Sequence, residues 1–354
     1  MRRATIYIKV FLVLLLQPWL VGCHTGNKSA TEHSESADSR CKGFTIEQRG
    51  DTTIVDVHSP WREGSDMAHY AITTPYRRIA CTSATHVGFL HALGMTDRLV
   101  GMCVPDRTYN LTPDERTRIA DLGDDMRPNM EAIVRAQPDA IVVSAYSEND
   151  AVVNQIVSLG IPVLYCNEWL ESSPLARAEW IRFFGACLGC QSRADSIYQQ
   201  VVADYTAMAA GTAVSGVSIM SGQSFYGTWY VPTGNTYMGR LFSDAGAQYA
   251  FSDNTSKSSL PLTMEQALQS FVDADVWVGC SAHSLEELAK TDEKHTWFKA
   301  YKTGCVYNFY RQTLPSGAND FWETGVVHPE LLLHDMQQIL RGDSTELYFS
   351  EKLH

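Results

Sequence analysis

Two carboxylates occupy the same place in two similar stretches of this chain. Residues 127–143 read RPNMEAIVRAQPDAIVV, and a second stretch beginning at Thr263 reads TMEQALQSFVDADVWVG. Each has a cap residue, a Met, a Glu, an apolar helix, an Asp-Ala break and a short buried strand. Asn129 is a good N-cap, and Glu131 falls in the first turn, where a carboxylate suits the positive end of a helix. Met130, Ile133 and Val134 recur at helical spacing. Residues 140–143 fit a strand covered on both faces. Glu265 repeats the position of Glu131. The helix dipole alone favours such a Glu, but its recurrence in two α/β units predicts two lobes with a pseudo-repeat.

Catalytic patterns are weak by comparison. Gly222-Gln-Ser224-Phe-Tyr-Gly227 superficially resembles a nucleophile elbow, but its second Gly falls one residue too late, so a strand-to-loop turn is expected there. The chain has no GxGxxG and no Walker A loop. His86, His91, His283, His295, His328 and His334 make no HExxH, and His328 and His334 are too far apart to share a helix face. They read as solvated surface histidines, and only a metal site assembled from distant residues would escape this description. No catalytic residue and no metal ligand is assigned, and the chain is not expected to be an enzyme.

Aromatic loops point instead to binding. Phe225, Tyr226, Trp229 and Tyr230 follow a strand ending at Met220, and Asn319-Asp320-Phe321-Trp322 comes near the end of the chain. Loops after the carboxyl ends of strands face the crevice of an α/β lobe, and aromatics with Asn, Asp and Ser there suit a bulky ligand of mixed polarity. Tyr226, Trp229, Asp320 and Trp322 are therefore assigned to the ligand, and Phe225 and Phe321 to the core. Matching loops of the first half carry Ser83, Thr85, His86, Tyr146 and Arg127. Arg127 is a natural clamp for a carboxylate or phosphate, or a partner for Asp124 or Asp125.

The elements that must position these residues follow from the whole chain. Its 354 residues are enough for two domains, and a formal net charge of −12 argues against nucleic acid as a partner. Arg2, Arg3 and Lys9 precede a short apolar run that closes at Leu-Val-Gly-Cys23, a signal segment rather than a membrane span. The expected divisions are a signal peptide over 1–22, a flexible tether over 23–41, an N-terminal α/β lobe over 42–170, a linker with the spanning helix over 171–211, and a C-terminal α/β lobe over 212–354. Residues 44–57 read as a hairpin around Gly50-Asp51. Long helices are expected over 174–188 and 192–210, the second with a stripe of Ala194, Ile197, Val201, Tyr205 and Met208, and about 30 Å long. Cys81 and Cys103 fall at comparable places on successive strands, and Cys187 and Cys190 read as buried or bridged thiols.

The small residue before Cys23 resembles a bacterial lipoprotein box, which implies diacylglycerol on that thiol. The stretches RIACTSATHVGFLHALGMTDRLVGM, NMEAIVRAQPDAIVV, GIPVLY, LTMEQALQSFVDADVWV and DFWETGVVHPELLLHDM resemble the substrate-binding proteins of ABC importers for iron–siderophores, haem and cobalamin. NEWLESSPLARAEWIRFFG and the early hairpin resemble the Bacteroidetes-type lipoproteins of that family. The resemblance implies the class III periplasmic binding protein fold: two Rossmann-like lobes with parallel sheets joined by one long rigid helix. It implies that Glu131 and Glu265 dock on the two subunits of a permease dimer with its ATPase subunits. It also implies a metal chelate, a corrinoid or ferric siderophore in preference to haem, held in the inter-lobe cleft by Trp229, Trp322 and Asp320. A monomer with no intrinsic cofactor, lipid-anchored in the periplasm, is expected. The alternatives are a two-lobed chelatase-like enzyme and a binder of free zinc or manganese ions. The sequence departs from the family in lacking an assignable Arg and Tyr pair for a catecholate or hydroxamate, and an axial Tyr or His for haem.

Overall fold

A computed structural model of the chain describes residues 40–212 and 216–354. Cys23, the signal segment before it and the tether up to residue 39 lie outside the described residues. The body opens with a three-stranded antiparallel sheet of β1 (Phe44–Arg49), β2 (Thr52–His58) and β3 (Asp66–Ile72). β1 and β2 form the expected hairpin, with Phe44 opposite Val57. β3 has no clean alternation of polarity; its pairing with β2 defines it.

The first lobe alternates strand and helix. It runs β4 (Ile79–Cys81), α1 (Ala84–Ala92), β5 (Leu99–Met102), α2 (Pro113–Arg118), β6 (Ala120–Asp121), a small hairpin of β7 (Gly123–Asp124) and β8 (Arg127–Pro128), α3 (Met130–Ala136), β9 (Ala140–Val143), α4 (Ala151–Val157) and β10 (Val163–Tyr165). The main sheet is parallel throughout, in the order β10-β9-β4-β5-β6. All four residues of β9 are buried, as a strand covered on both faces requires.

Helices α5 (Pro174–Ala178), α6 (Ile181–Leu188) and α7 (Gln191–Ala210) lead to the second lobe. The 20 residues of α7 span about 30 Å. Its buried stripe is Ala194, Tyr198, Val201 and Tyr205, with Ile197 and Met208 at the half-buried margin. The single helix expected over 174–188 is in fact two. They part at Glu179 and Trp180, whose side chains turn to other tasks. Glu179 accepts the backbone N–H groups of Arg40 and Cys41 at 2.8 and 2.9 Å, and Trp180 Nε1 donates to Glu171 at 3.1 Å.

The second lobe contains β11 (Ser218–Ser221), β12 (Ser224–Phe225), β13 (Thr228–Val231), α8 (Tyr237–Asp244), β14 (Gln248–Tyr249), β15 (Leu260–Leu262), α9 (Met264–Phe271), β16 (Val276–Val278), α10 (Leu285–Thr291), α11 (Lys299–Lys302), β17 (Val306–Asn308), α12 (Thr324–Val327), α13 (Pro329–Leu340) and β18 (Glu351–Lys352). Its main sheet has the order β14-β11-β16-β17-β18, parallel except for the edge strand β18. Strands β12, β13 and β15 make a separate antiparallel sheet.

Numbered within each lobe, the first main sheet is 3-2-1-4-5 and the second 2-1-3-4-5. In both, the order reverses beside the lobe's first strand, β4 or β11. The strand across that reversal is the one fed by a Glu-bearing helix: β9 after α3, β16 after α9. The pseudo-repeat therefore holds at the reversal point, although the sheets differ elsewhere.

Candidate functional site

Connections leave such a reversal point in opposite directions and open a crevice beyond the carboxyl ends of the strands. In the first lobe that crevice is a recess of about 80 Å³. Thr82 and Ser83 come to it from the end of β4, Ser144 and Tyr146 from the end of β9, and Asp125 and Met126 from the turn between β7 and β8. Val152, Val153 and Ile156 of α4 form its apolar wall. Asp150 caps α4 by accepting from Val152 N and Val153 N, and its other oxygen accepts from Tyr146 N at 3.0 Å. A buried Asn167 accepts from Ala145 N at 2.9 Å, which ties the loop after β9 to the loop after β10. That tie brings the Tyr146 ring to 5.5 Å from the Trp169 ring, and both rings are partly exposed. Burial, then the charges of Asp125, Glu168 and Asp150, push the Tyr146 phenol up, so it stays a neutral donor.

Below the recess lies a buried polar group. His86 on α1 places Nε2 3.2 Å from the Ser144 hydroxyl. Burial lowers its pKa to about 4, against the opposing pull of Glu168 and the Cys166 backbone. The Cys166 thiol donates to Glu168 at 3.5 Å, and burial followed by the Glu168 charge pushes that thiol well up. Glu168 pairs with Arg177 at 3.6 Å, whose guanidinium lies over the Tyr237 ring of the second lobe.

In the second lobe the equivalent ends of β11 and β16 are bridged. Gly222 N donates to Val278 O, Trp277 Nε1 to Gly222 O, and Ser281 N to the Gln223 side chain. Beyond them, β12 and β13 project as a hairpin whose turn is Tyr226-Gly227, both with positive φ. Tyr226 is 94% exposed at its tip.

The expected site residues separate into two groups. Tyr146 lines the recess, and Arg127 is exposed at the start of β8, one residue beyond Met126. Tyr226 and Trp322 are exposed on other loops, and Trp322 packs edge-on against Phe321. Trp229 and Asp320 are corrected. Trp229 is 0% exposed; its Nε1 donates to Ser221 O, and its ring packs with Trp277, His295 and Phe298. Alternation along β13 decides this, since Trp229 and Val231 face inward and Tyr230 outward. Asp320 is buried and accepts from Asn110 Nδ2 at 2.8 Å, Thr324 N and the Tyr348 hydroxyl, a structural role across the lobes. Phe225, expected in the core, is exposed, whereas Phe321 is buried as expected. His86 and His295 are buried rather than solvated. Cys81, Cys103, Cys166, Cys187, Cys190, Cys280 and Cys305 are free thiols; Cys81 ends β4, and Cys103 directly follows β5, its backbone N–H donating to Cys81 O at 3.1 Å. Trp169 and Asn167 escaped the sequence reasoning, although their place directly after a buried strand was a usable signal.

Glu131 and Glu265 are both exposed, each two residues past its N-cap, Asn129 or Thr263. Asn129 accepts from Ala132 N, and Thr263 forms a capping box with Gln266. Glu265 also meets Lys294 at 3.4 Å on the surface.

A family model described as periplasmic binding protein matches residues 79–312. An uncharacterized lipoprotein of Methanocaldococcus jannaschii is 24% identical over 285 residues, 77% of this chain and 67% of its own length. A second lipoprotein of that organism has 59% of its length matched. Among solved structures, the triscatecholate siderophore-binding protein of Bacillus subtilis in complex with ferri-bacillibactin aligns with a TM-score of 0.57 at 16% identity, covering 78% of this chain and 96% of that one. The periplasmic vitamin B12-binding protein of Vibrio cholerae aligns with a TM-score of 0.54 at 15% identity, covering 77% and 99%. At such identities the structures establish the fold, while the family match runs from β4 of the first lobe through α7 to just past β17 of the second; the chain belongs to the periplasmic binding protein family.

Proposed function

We propose that this chain is the substrate-binding lipoprotein of an ABC importer, and that it captures a metal chelate, a corrinoid or a ferric siderophore, and delivers it to the permease. The observation that carries the proposal is the crevice at the first lobe's reversal point, lined by Tyr146, Thr82, Ser83 and Ser144, with the exposed Trp169 ring 5.5 Å from that of Tyr146. Its volume of about 80 Å³ is far below the ~300–1,000 Å³ of a whole-ligand pocket. It holds one substituent of a large ligand, whose body lies across the recess mouth against the exposed aromatics. A siderophore-binding and a vitamin B12-binding protein share the fold, which supports a chelate as the ligand class. The matched, exposed carboxylates Glu131 and Glu265 support docking, one per lobe, on a permease dimer. Cys23 would anchor the chain to a membrane facing the periplasm, with the protein acting as a monomer.

The test is equilibrium binding to the purified protein, followed through tryptophan fluorescence, with cyanocobalamin, cobinamide and ferric catecholate and hydroxamate chelates as probes. Saturable one-to-one quenching by one class, without chemical change in the probe, is the expected result. No quenching by any of them, or conversion of a probe, would overturn it.

A further inference from the structure

We propose that His86, Cys166 and Glu168 form a buried binding site for a divalent transition metal of the zinc type, directly beneath the recess. A ring nitrogen of His86, the Cys166 sulfur and a Glu168 carboxylate oxygen all lie within 4.8 Å of one another, and all three residues are buried. They come from α1 after β4 and the loop after β10, the two strands that flank β9 in the parallel sheet.

Nitrogen, sulfur and carboxylate oxygen together are the donor set of a borderline-soft ion. The His86 ring is already oriented for this role. Its Nε2 is held by the Ser144 hydroxyl, and its buried Nδ1 makes no hydrogen bond of normal geometry, the Cys166 backbone being near enough for a weak hydrogen bond to the ring. A buried nitrogen left in that state costs free energy that an ion would recover. A ligating His characteristically gives its second ring nitrogen to a hydrogen-bonding partner, as Ser144 provides.

The carboxylate is divided between two neighbours. Oε1 faces Arg177 at 3.6 Å, and Oε2 faces the Cys166 sulfur at 3.5 Å. The metal takes the place of the thiol proton between sulfur and Oε2. The bonds formed are metal–sulfur, metal–nitrogen and metal–oxygen; the bond broken is S–H, and one proton leaves to solvent. Arg177 stays on the other oxygen, with its charge spread over the Tyr237 ring. Tetrahedral zinc ligands stand about 3.3–3.8 Å apart, so the three side chains must close by about 1 Å, a side-chain adjustment. Three protein ligands leave a fourth position, which one of the ion's own water molecules keeps. Ser144 touches both His86 and the recess, so the metal stiffens the recess floor.

The test uses the full chain purified in detergent, with free Zn²⁺ and Co²⁺ as probes and no chelate present, so it succeeds or fails independently of the importer assignment. The wild-type protein should retain one zinc per chain, release one proton per metal bound, and give a thiolate-to-cobalt charge-transfer band with one equivalent of Co²⁺. The band should vanish in Cys166→Ala and in Glu168→Gln. Ser144→Ala should weaken binding about 10- to 100-fold. X-ray absorption of the wild-type zinc form does not depend on any variant folding, and should show one sulfur among nitrogen and oxygen donors. No retained zinc and no cobalt band in the wild type, a band that persists in both variants, or a zinc shell with no sulfur or with several would each overturn the site.

Discussion

The Glu323 carboxylate, beside helix α12 of the second lobe, accepts the backbone N–H of Asn110 in the first lobe at 2.8 Å. Tyr109 N donates to the same carboxylate, and Asn110 Nδ2 reaches Asp320. Helix α1 presses on this junction, since a Cβ on Gly88 would fall 2.5 Å from the Glu323 carbonyl oxygen. Two buried acids thus clamp one loop across the lobes. Burial raises the Glu323 carboxyl to about 7, against the hydrogen bonds from Asn110 and Tyr109. The folded state therefore binds the extra proton between pH 4.5 and about 7. A raised carboxyl makes its contribution most favourable at the acid end of that window. That contribution is lost as pH rises, by at most about 1.4 kcal/mol for each pH step of one crossed. Thermal melts across the window should show Glu323→Gln losing less stability with rising pH than the wild type. Equal slopes would remove Glu323 as the titrating group.

Trp169→Ala and Tyr146→Ala should each weaken chelate binding about 3- to 10-fold, the scale of one aromatic contact. Circular dichroism should be unchanged, because both rings are partly exposed. Trp169→Phe should keep most affinity and remove much of the fluorescence response. Wild-type affinity in both alanine variants would move the ligand elsewhere.

Trp229→Ala is expected to behave in the opposite way. Its ring fills the second lobe's core between Trp277 and Phe298. Truncation should cost about 3–5 kcal/mol of unfolding free energy. Ligand affinity measured well below the melting temperature should change little. A large affinity loss at unchanged stability would restore Trp229 as a ligand contact.

Glu131→Arg combined with Glu265→Arg should abolish uptake in a transport assay while leaving chelate affinity intact. Both side chains are exposed in the first turns of α3 and α9. Each reversal places a cation where complementary cations of a permease would have to meet it. Lost affinity in the purified variant would contradict a docking role.

Much of the fold was legible because it is written locally. Caps, periodicity and Asp-Ala breaks near 129–143 and 263–278 mark both Glu-bearing helices and the strands after them, and thereby two α/β lobes. The negative net charge argued against nucleic acid as a partner. Tertiary structure alone decided which aromatics face outward. Trp229 and Tyr230 are neighbours of similar character, but the register of β13 against β15 sends one into the core and the other to solvent. It alone turned Asp320 from a loop acid into an inter-lobe clamp, because Asn110 is more than 200 residues away in sequence. It also brought His86, 80 residues before Cys166, into one buried cluster with that thiol and Glu168. Strand pairing in a parallel sheet is non-local, and no periodicity within either segment encodes which loops it will set side by side.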